Sequence, residues 1–103
     1  MGWILAAFDL PVIEAKQRKL AARFRKQLLD DGFVMIQYSI YARPCVTHEA
    51  IEKHAKRIAD IAPATGNIRL IFITDHQWGK IQTISDPNYF REEPDMPDQM
   101  EFW

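Results

Sequence analysis

Asp9 is the carboxylate whose place in the sequence suggests chemistry. It directly follows the apolar run Trp3 to Phe8, a pattern typical of a central strand buried on both faces. The carboxyl ends of strands are where α/β folds place ligands. One carboxylate is a poor Mg²⁺ site, but a twofold axis would supply a second, and two carboxylates with waters suit an octahedral oxygen shell. The alternative is that Asp9 only caps a helix beginning near Pro11, and the residues by themselves favour the cap because it is the commoner use.

Basic residues on the following segment suggest contacts with phosphate. Four of them step by three, four and three positions, which places them on one face of a helix with no acidic residue between them: Lys16, Lys19, Arg23 and Lys26. Arg18 and Arg25 lie one heptad apart on another exposed side. A solvated helix face is the alternative interpretation, and it is usually right for basic helices. Binding through this face would read the nucleic-acid backbone without reading its sequence.

The elements that position these residues follow from hydrophobic periodicity. A helix is predicted over Ile13 to Asp31, with Gly32 as its left-handed C-terminal residue. Its buried positions recur about every four residues, at Leu20, Ala21, Phe24 and Leu28.

The second half of the chain predicts more strands around a second helix. Phe33 to Arg43, closed by a proline, predicts one bent strand or two short strands with a kink near Gln37. Thr47 is a predicted N-cap, and a proline ends the helix after its buried stripe at Ile51, Ala55, Ile58 and Ala62. Strands are predicted at Asn67 to Thr74 and at Trp78 to Ile84. The fold class is therefore α+β, a ferredoxin-like βαββαβ domain with an extra C-terminal strand and two helices on one face of an antiparallel sheet.

Length and composition bound the domain and exclude several kinds of site. The chain has 103 residues, 48% of them hydrophobic, which predicts one domain over residues 1–84 and an acidic, Pro-containing tail over 85–103. The domain carries 12 Lys or Arg against 8 Asp or Glu, whereas the tail carries one against six. Cys45 is the single cysteine, so no intrachain disulfide can form, which fits a reducing compartment such as the cytoplasm. The three histidines show no zinc spacing, and no stretch approaches the length of a membrane span.

Three segments together resemble the small CRISPR-associated adaptation proteins that partner the spacer integrase. They are FDLP around Asp9, GFVMIQYSIY, and a helix followed by NIRLIFIT and KIQTI. The family pattern of the second segment is met by Gly32, Gln37, Ser39, Ile40 and Tyr41. Phe8 and Met35 stand where the family often has Tyr and a basic residue, which disfavours efficient hydrolysis but not the fold.

The resemblance implies a set of partners and roles. It implies a homodimer that binds the integrase and duplex DNA, and in many members a metal-dependent endonuclease that acts on RNA or double-stranded DNA. Asp9 is then the catalytic residue and the ligand of Mg²⁺ or Mn²⁺, with Gln37 and Ser39 as possible supporting residues. Lys16, Arg18, Lys19 and Arg23 are the expected nucleic-acid contacts. A DNA-binding scaffold is the leading hypothesis, a nuclease is the second, and a small-molecule-sensing regulatory domain is a third that the same fold often hosts.

The tail suggests a separate role. It is acidic but ends in Met100, Phe102 and Trp103, which an unstructured linker would not need. We expect these residues to anchor the tail in an apolar pocket of the integrase or of a second protomer. The alternative is that the tail packs on its own domain.

Overall fold

A computed structural model describes residues 1–85 of the chain. The elements along this range are β1 (Gly2–Asp9), α1 (Ala15–Asp30), β2 (Val34–Gln37), β3 (Ile40–Cys45), α2 (His48–Ile61), β4 (Asn67–Thr74) and the short α3 (Asp75–Gly79). The four strands form one antiparallel sheet in the order β2-β3-β1-β4. This α+β arrangement is the expected ferredoxin-like one.

β1 lies at the centre of the sheet, as its apolar run predicts, and pairs with both β3 and β4. Its even-numbered side chains, Ile4, Ala6 and Phe8, are buried in the core, whereas the odd-numbered ones are only half-buried. The difference arises because α1 and α2 cover one face of the sheet only. Phe24 and Leu28 of α1 and Ile58 of α2 complete the core.

The first helix begins later than expected. Its N-cap is Glu14, which forms a reciprocal capping box with Gln17. The Gln17 Oε1 accepts hydrogen bonds from the backbone N–H groups of Ile13 and Glu14, at 3.0 and 2.9 Å. The suggestion that Asp9 caps this helix is therefore wrong, because the donors of the first turn are satisfied five residues further along. Gly32 has φ +91°, the left-handed conformation predicted for it.

The segment after α1 forms two short strands that meet at a turn after Gln37, one of the two predicted alternatives. The sequence predicted that β3 ends before Pro44, but the strand continues through Pro44 to Cys45. Beyond Ala42 β3 pairs with β1 and no longer with β2, so a residue without an N–H is tolerated there.

The second helix and the last strand are largely as predicted. The Thr47 hydroxyl accepts a hydrogen bond from the Ala50 N–H at 3.0 Å, which confirms it as the N-cap of α2. Ile58 is fully buried, and Ile51 and Ala55 are half-buried. β4 has the predicted bounds.

The predicted strand Trp78 to Ile84 is wrong. Trp78 lies in α3, and residues 80–85 form no strand. The cause is local, because Thr74 caps α3 and forms a capping box with Gln77, which turns the chain into a helix directly after β4. The tail residues 86–103, including the predicted aromatic anchor, lie outside the described residues.

Candidate nucleic-acid interface

Asp9 ends β1 on the uncovered face of the sheet. Because side chains alternate between the two faces of a strand, Asp9 lies on the same face as Trp3, Leu5 and Ala7, opposite the buried even-numbered residues. The Asp9 side chain is exposed. Asn67, the first residue of β4, lies directly opposite it in the register. Within residues 1–85 the Asp9 carboxylate forms no hydrogen bond or ion pair. It is thus free to accept a ligand from solvent.

The expected supporting residues, Gln37 and Ser39, lie at the end of the sheet that carries Asp9, and Tyr41 of the family pattern lies near them but differs in burial. The Ser39 carbonyl accepts a hydrogen bond from the Phe8 N–H at 3.0 Å, which ties the β2–β3 turn to the residue before Asp9. Gln37 is exposed, whereas Tyr41 is buried and packs at a tilt against Phe8 with ring centroids 5.6 Å apart. Tyr41 therefore contributes to the core, and Gln37 and Ser39 remain candidates for polar contacts.

Residues 1–85 of one protomer do not provide a complete metal site. In the described part of the chain no three His, Cys, Asp or Glu side chains cluster closely enough to hold a metal ion. Asp9 and the facing Asn67 are two oxygen-bearing side chains, fewer than the six ligands that Mg²⁺ requires. The donor set of residues 1–85 therefore fits Mg²⁺ or Mn²⁺ only if a second copy contributes the same residues.

The cations of α1 form two rows on opposite sides of its buried stripe. All four residues of the predicted stripe are exposed: Lys16, Lys19, Arg23 and Lys26. Lys26 also pairs with Asp30 at 3.1 Å, an exposed bridge of small energetic value.

Arg18 and Arg25 form the second row, and the Arg25 guanidinium carbon lies 5.4 Å from the centroid of the Phe8 ring, near the end of β1. The Arg18 Nη1 donates to the carbonyls of Val12 and Ile13 at 3.2 and 2.6 Å. These bonds fix the guanidinium but leave its other N–H groups for a phosphate. Since a helix turns about 100° per residue, Arg18 points well away from Lys16 and Lys19, so the four predicted contacts do not share one face.

A buried ion-pair cluster was not predicted from the sequence. The Asp31 carboxylate lies 2.7 Å from the Nδ1 of His54 and 2.7 Å from the Nη1 of Arg57, and the Asp31 carbonyl accepts a bond from Arg43 at 2.6 Å. Burial raises the pKa of Asp31, but the hydrogen bonds and charges of His54 and Arg57 outweigh it and hold the pKa below 3.8. Its cluster joins the end of α1 to β3 and α2 and is remote from Asp9.

The sequence contained one signal for this cluster. Ile51, His54 and Ile58 follow each other by three and four positions, so His54 had to lie on the apolar face of α2. No comparable signal marked Arg25 and Tyr38, which are neighbours only because the β2–β3 turn folds against α1.

Comparison with known proteins assigns the chain to a protein family. The family model described as CRISPR associated protein Cas2 matches residues 1–81. A protein of Parvibaculum lavamentivorans named CRISPR-associated endoribonuclease Cas2 is 51% identical over 80 residues, which cover 78% of this chain and 79% of that protein. The chain belongs to the Cas2 family.

Further comparisons agree with membership of the Cas2 family. A protein of the same name from Flavobacterium psychrophilum is also 51% identical over 80 residues, covering 78% of this chain and 70% of that protein. A crystal structure of Streptococcus pyogenes Cas2 superposes with a TM-score of 0.61 at 19% identity, covering 81% of this chain and 99% of that one. At this identity the likeness to the Streptococcus structure supports the fold alone. Among residues 1–85 of this Cas2-family chain, no helix is both long and apolar enough to cross a membrane.

Proposed function

We propose that this protein acts in CRISPR spacer acquisition, in the cytoplasm, as a homodimeric scaffold that binds duplex DNA and the spacer integrase. The observation that carries the proposal is an uncovered apolar face of the sheet, combined with exposed cations on α1, the helix that packs on the opposite face. Membership of the Cas2 family favours this role over small-molecule sensing.

The uncovered face of the sheet supports a homodimer. Leu5 lies between Ala42 of β3 and Ile71 of β4 in the register, and Ile71 is exposed despite its position in the sheet. At one end of this face Trp78 stacks on Trp3, with ring centroids 3.8 Å apart. An apolar surface of this kind is a common site of association, and a twofold axis would cover it with the same surface of a second copy.

A charge placed on this face tests the dimer. Ile71→Glu should convert the dimer to a monomer in light scattering at micromolar concentration, because the carboxylate would be buried without a partner. Val46→Glu is the matched control, since Val46 is also an exposed aliphatic residue but follows β3 outside the sheet. A wild-type protein that is monomeric under these conditions would contradict the proposal.

The cations of α1 support binding to the DNA backbone. Lys16, Lys19 and Arg23 are exposed on one side of the helix, and Arg18 is held near its start by the loop carbonyls. Contacts of this kind release counterions, so the logarithm of the affinity should fall by about 0.9 per phosphate neutralised for each decade of salt.

A charge-reversal series tests this surface. Replacing Lys16, Lys19 and Arg23 with Glu should abolish binding to a blunt duplex without unfolding the exposed helix face. The matched control reverses three exposed lysines elsewhere and changes the net charge equally: Lys53, Lys56 and Lys80. Equal losses in both variants would show that net charge alone drives binding, and unchanged affinity in the first would refute the assignment.

A metal-dependent nuclease is a second candidate, favoured by the exposed Asp9 carboxylate on the proposed dimer face. Two copies would bring two Asp9 side chains and two Asn67 side chains toward the same axis. A bound Mg²⁺ or Mn²⁺ would supply a Lewis acid and an activated water. Asp9 and Asn67 would hold the ion, Gln37 and Ser39 would contact the phosphodiester or a bound water, and the cations of α1 would orient the strand.

Asp9→Ala separates the two roles. If the protein is a scaffold, spacer acquisition should survive the change; if hydrolysis is required, acquisition should be lost although the dimer and the integrase complex remain. Any cleavage of RNA or duplex DNA should need the metal and vanish in Asp9→Ala but not in Asp60→Ala, which removes an exposed carboxylate from α2. Cleavage that survives both Asp9→Ala and chelation would exclude this site.

A further inference from the structure

Tyr38 presents an aromatic ring at the end of the sheet that carries Asp9. It lies in the turn between β2 and β3, and 53% of the residue is exposed. Within residues 1–85 its hydroxyl has no hydrogen-bond partner and its ring touches no other aromatic ring. An exposed ring of this size in a polar turn is not explained by packing of the core.

Arg25 supports the Tyr38 ring from α1. The Arg25 guanidinium carbon lies 4.2 Å from the centroid of the Tyr38 ring and 5.4 Å from that of Phe8. Its Nε also approaches the Tyr38 carbonyl at 3.5 Å. A guanidinium stacks on aromatic faces by cation–π attraction, so one face of Tyr38 is already held and its orientation is fixed before any ligand arrives.

One of the proposed phosphate contacts, Arg18, lies on the same side of α1 as this Tyr38–Arg25 platform. The next residue, Ser39, is hydrogen-bonded to Phe8, which precedes Asp9. Tyr38 lies on the helix side of the sheet and Asp9 on the uncovered side, at the same end. Arg18 lies one heptad before Arg25 on the same side of α1, about 10 Å along the helix. Arg18 and the platform therefore lie along one side of α1, and the platform lies at the end of the sheet that carries Asp9.

We propose that the Tyr38–Arg25 platform stacks on an unpaired nucleobase of the bound nucleic acid. This inference rests on the proposed nucleic-acid function and adds to it that part of the ligand is single-stranded. An aromatic ring backed by a cation is a sequence-tolerant base-stacking surface, because every base offers a π-face. Inside a duplex both faces of a base are occupied by its neighbours, and a duplex end exposes only one face of its terminal pair, so an unpaired base, in DNA or RNA, is the ligand that fits the platform.

Two probes distinguish stacking from backbone contacts. One is a blunt DNA duplex, and the other is the same duplex with unpaired nucleotides at each end, one of them replaced by fluorescent 2-aminopurine. An RNA tail on the same duplex shows whether the unpaired base must be DNA. Wild-type protein should bind both DNA probes with strong salt dependence, bind the tailed probe more tightly and quench the 2-aminopurine on binding.

The variants remove the ring while leaving the basic surface intact. Tyr38→Ala should weaken binding of the tailed probe by about 5- to 150-fold, the range for loss of one base–aromatic stack, and should abolish the quenching. Its affinity for the blunt duplex should not change. Tyr38→Trp should retain both signals. Phe72→Ala is the matched control, because Phe72 is 52% exposed but lies near the far end of β4, and it should bind both probes like wild type.

Failure of the inference differs from failure of the proposed function. If wild type binds the blunt duplex but Tyr38→Ala binds the tailed probe equally well, or weakens both probes alike, the platform does not stack on a base and the scaffold role stands. Stacking by the platform is also refuted if Phe72→Ala matches Tyr38→Ala. If wild type binds neither probe, the nucleic-acid function itself is wrong and the inference falls with it.

Discussion

Asp31→Ala is predicted to be strongly destabilising although Asp31 lies far from the proposed interface. Asp31 follows the last turn of α1, and its side chain is only 15% exposed. Its carboxylate binds His54 and Arg57 of α2, and its backbone carbonyl accepts a bond from Arg43 of β3, so the residue connects three elements. The substitution leaves the carbonyl bond intact and removes both carboxylate bonds. It also leaves His54 buried beside Phe33 without its anionic partner.

The cost follows from the burial of the two partners. Arg57 is half-exposed, so water replaces its lost bond and the loss is under about 1 kcal/mol. His54 is buried, and the loss of a charge-assisted bond to a buried group costs about 2 to 3 kcal/mol. A total of about 3 kcal/mol should lower Tm by about 12 to 24 °C in a domain of this size.

The adjacent carboxylate provides the control. Asp30 is 65% exposed and, within the described residues, pairs only with Lys26 on the same helix, so Asp30→Ala should cost about 0.5 kcal/mol or less. Thermal and urea unfolding of both variants at equal protein concentration, far-UV circular dichroism being the signal, would measure the difference. Similar melting temperatures for Asp30→Ala and Asp31→Ala would refute the reasoning that burial sets the strength of the cluster.

The pH dependence of the stability of wild type and of Asp31→Ala gives an independent check. The folded-state pKa of Asp31 lies below its ordinary value of 3.8. The stability that this carboxylate contributes is therefore fully present at pH values above the ordinary pKa and is lost as the pH falls through the folded-state pKa. The stability gap between wild type and Asp31→Ala should therefore narrow below about pH 4. A gap that stays unchanged to pH 2 would show that the carboxylate is not the stabilising group.

Three further substitutions test the fold that positions the interface. Phe24→Ala should cost about 3 to 5 kcal/mol in urea unfolding, because it leaves a cavity under β1 where the ring is fully buried; a loss below 1 kcal/mol would contradict the packing. Gly32→Ala should cost at least about 1 kcal/mol, since the residue has φ +91° and a Cβ would collide with the Arg43 guanidinium. Thr47→Ala should cost about 1 kcal/mol through loss of the α2 cap, whereas Thr65→Ala, an exposed loop change, should be neutral; equal melting temperatures would exclude the cap.

Local chemistry explains which elements the sequence predicted correctly. The apolar run of β1, the spacing of Phe24 and Leu28, the turn at Gly32 and the cap at Thr47 are all determined by neighbours in the chain, and each has its predicted role. Two wrong predictions, the start of α1 and the strand around Trp78, also have local causes, namely side chains that cap the backbone of a nearby helix. The start of α1 was set by the Gln17 side chain, and the predicted strand around Trp78 became a helix because Thr74 and Gln77 cap it.

For the candidate site too, the sequence predicted some features and left others open. The sequence placed Asp9 at a strand end and the cations on α1, because both follow from periodicity within one element. Their roles in binding and catalysis stay predictions. The sequence could not exclude the cap interpretation of Asp9, and only the later start of α1 did so.

By itself, then, the sequence determined the order of the main elements, the core face of each and the Cas2-like pattern of its motifs. Only the tertiary structure decided which residues from distant segments meet. Arg25 reaches Tyr38 across 13 positions, and Asp31 reaches His54 and Arg57 across 23 and 26. The physical reason is that periodicity fixes the direction of a side chain relative to its own helix or strand, whereas contacts between elements depend on how the sheet and the helices pack together.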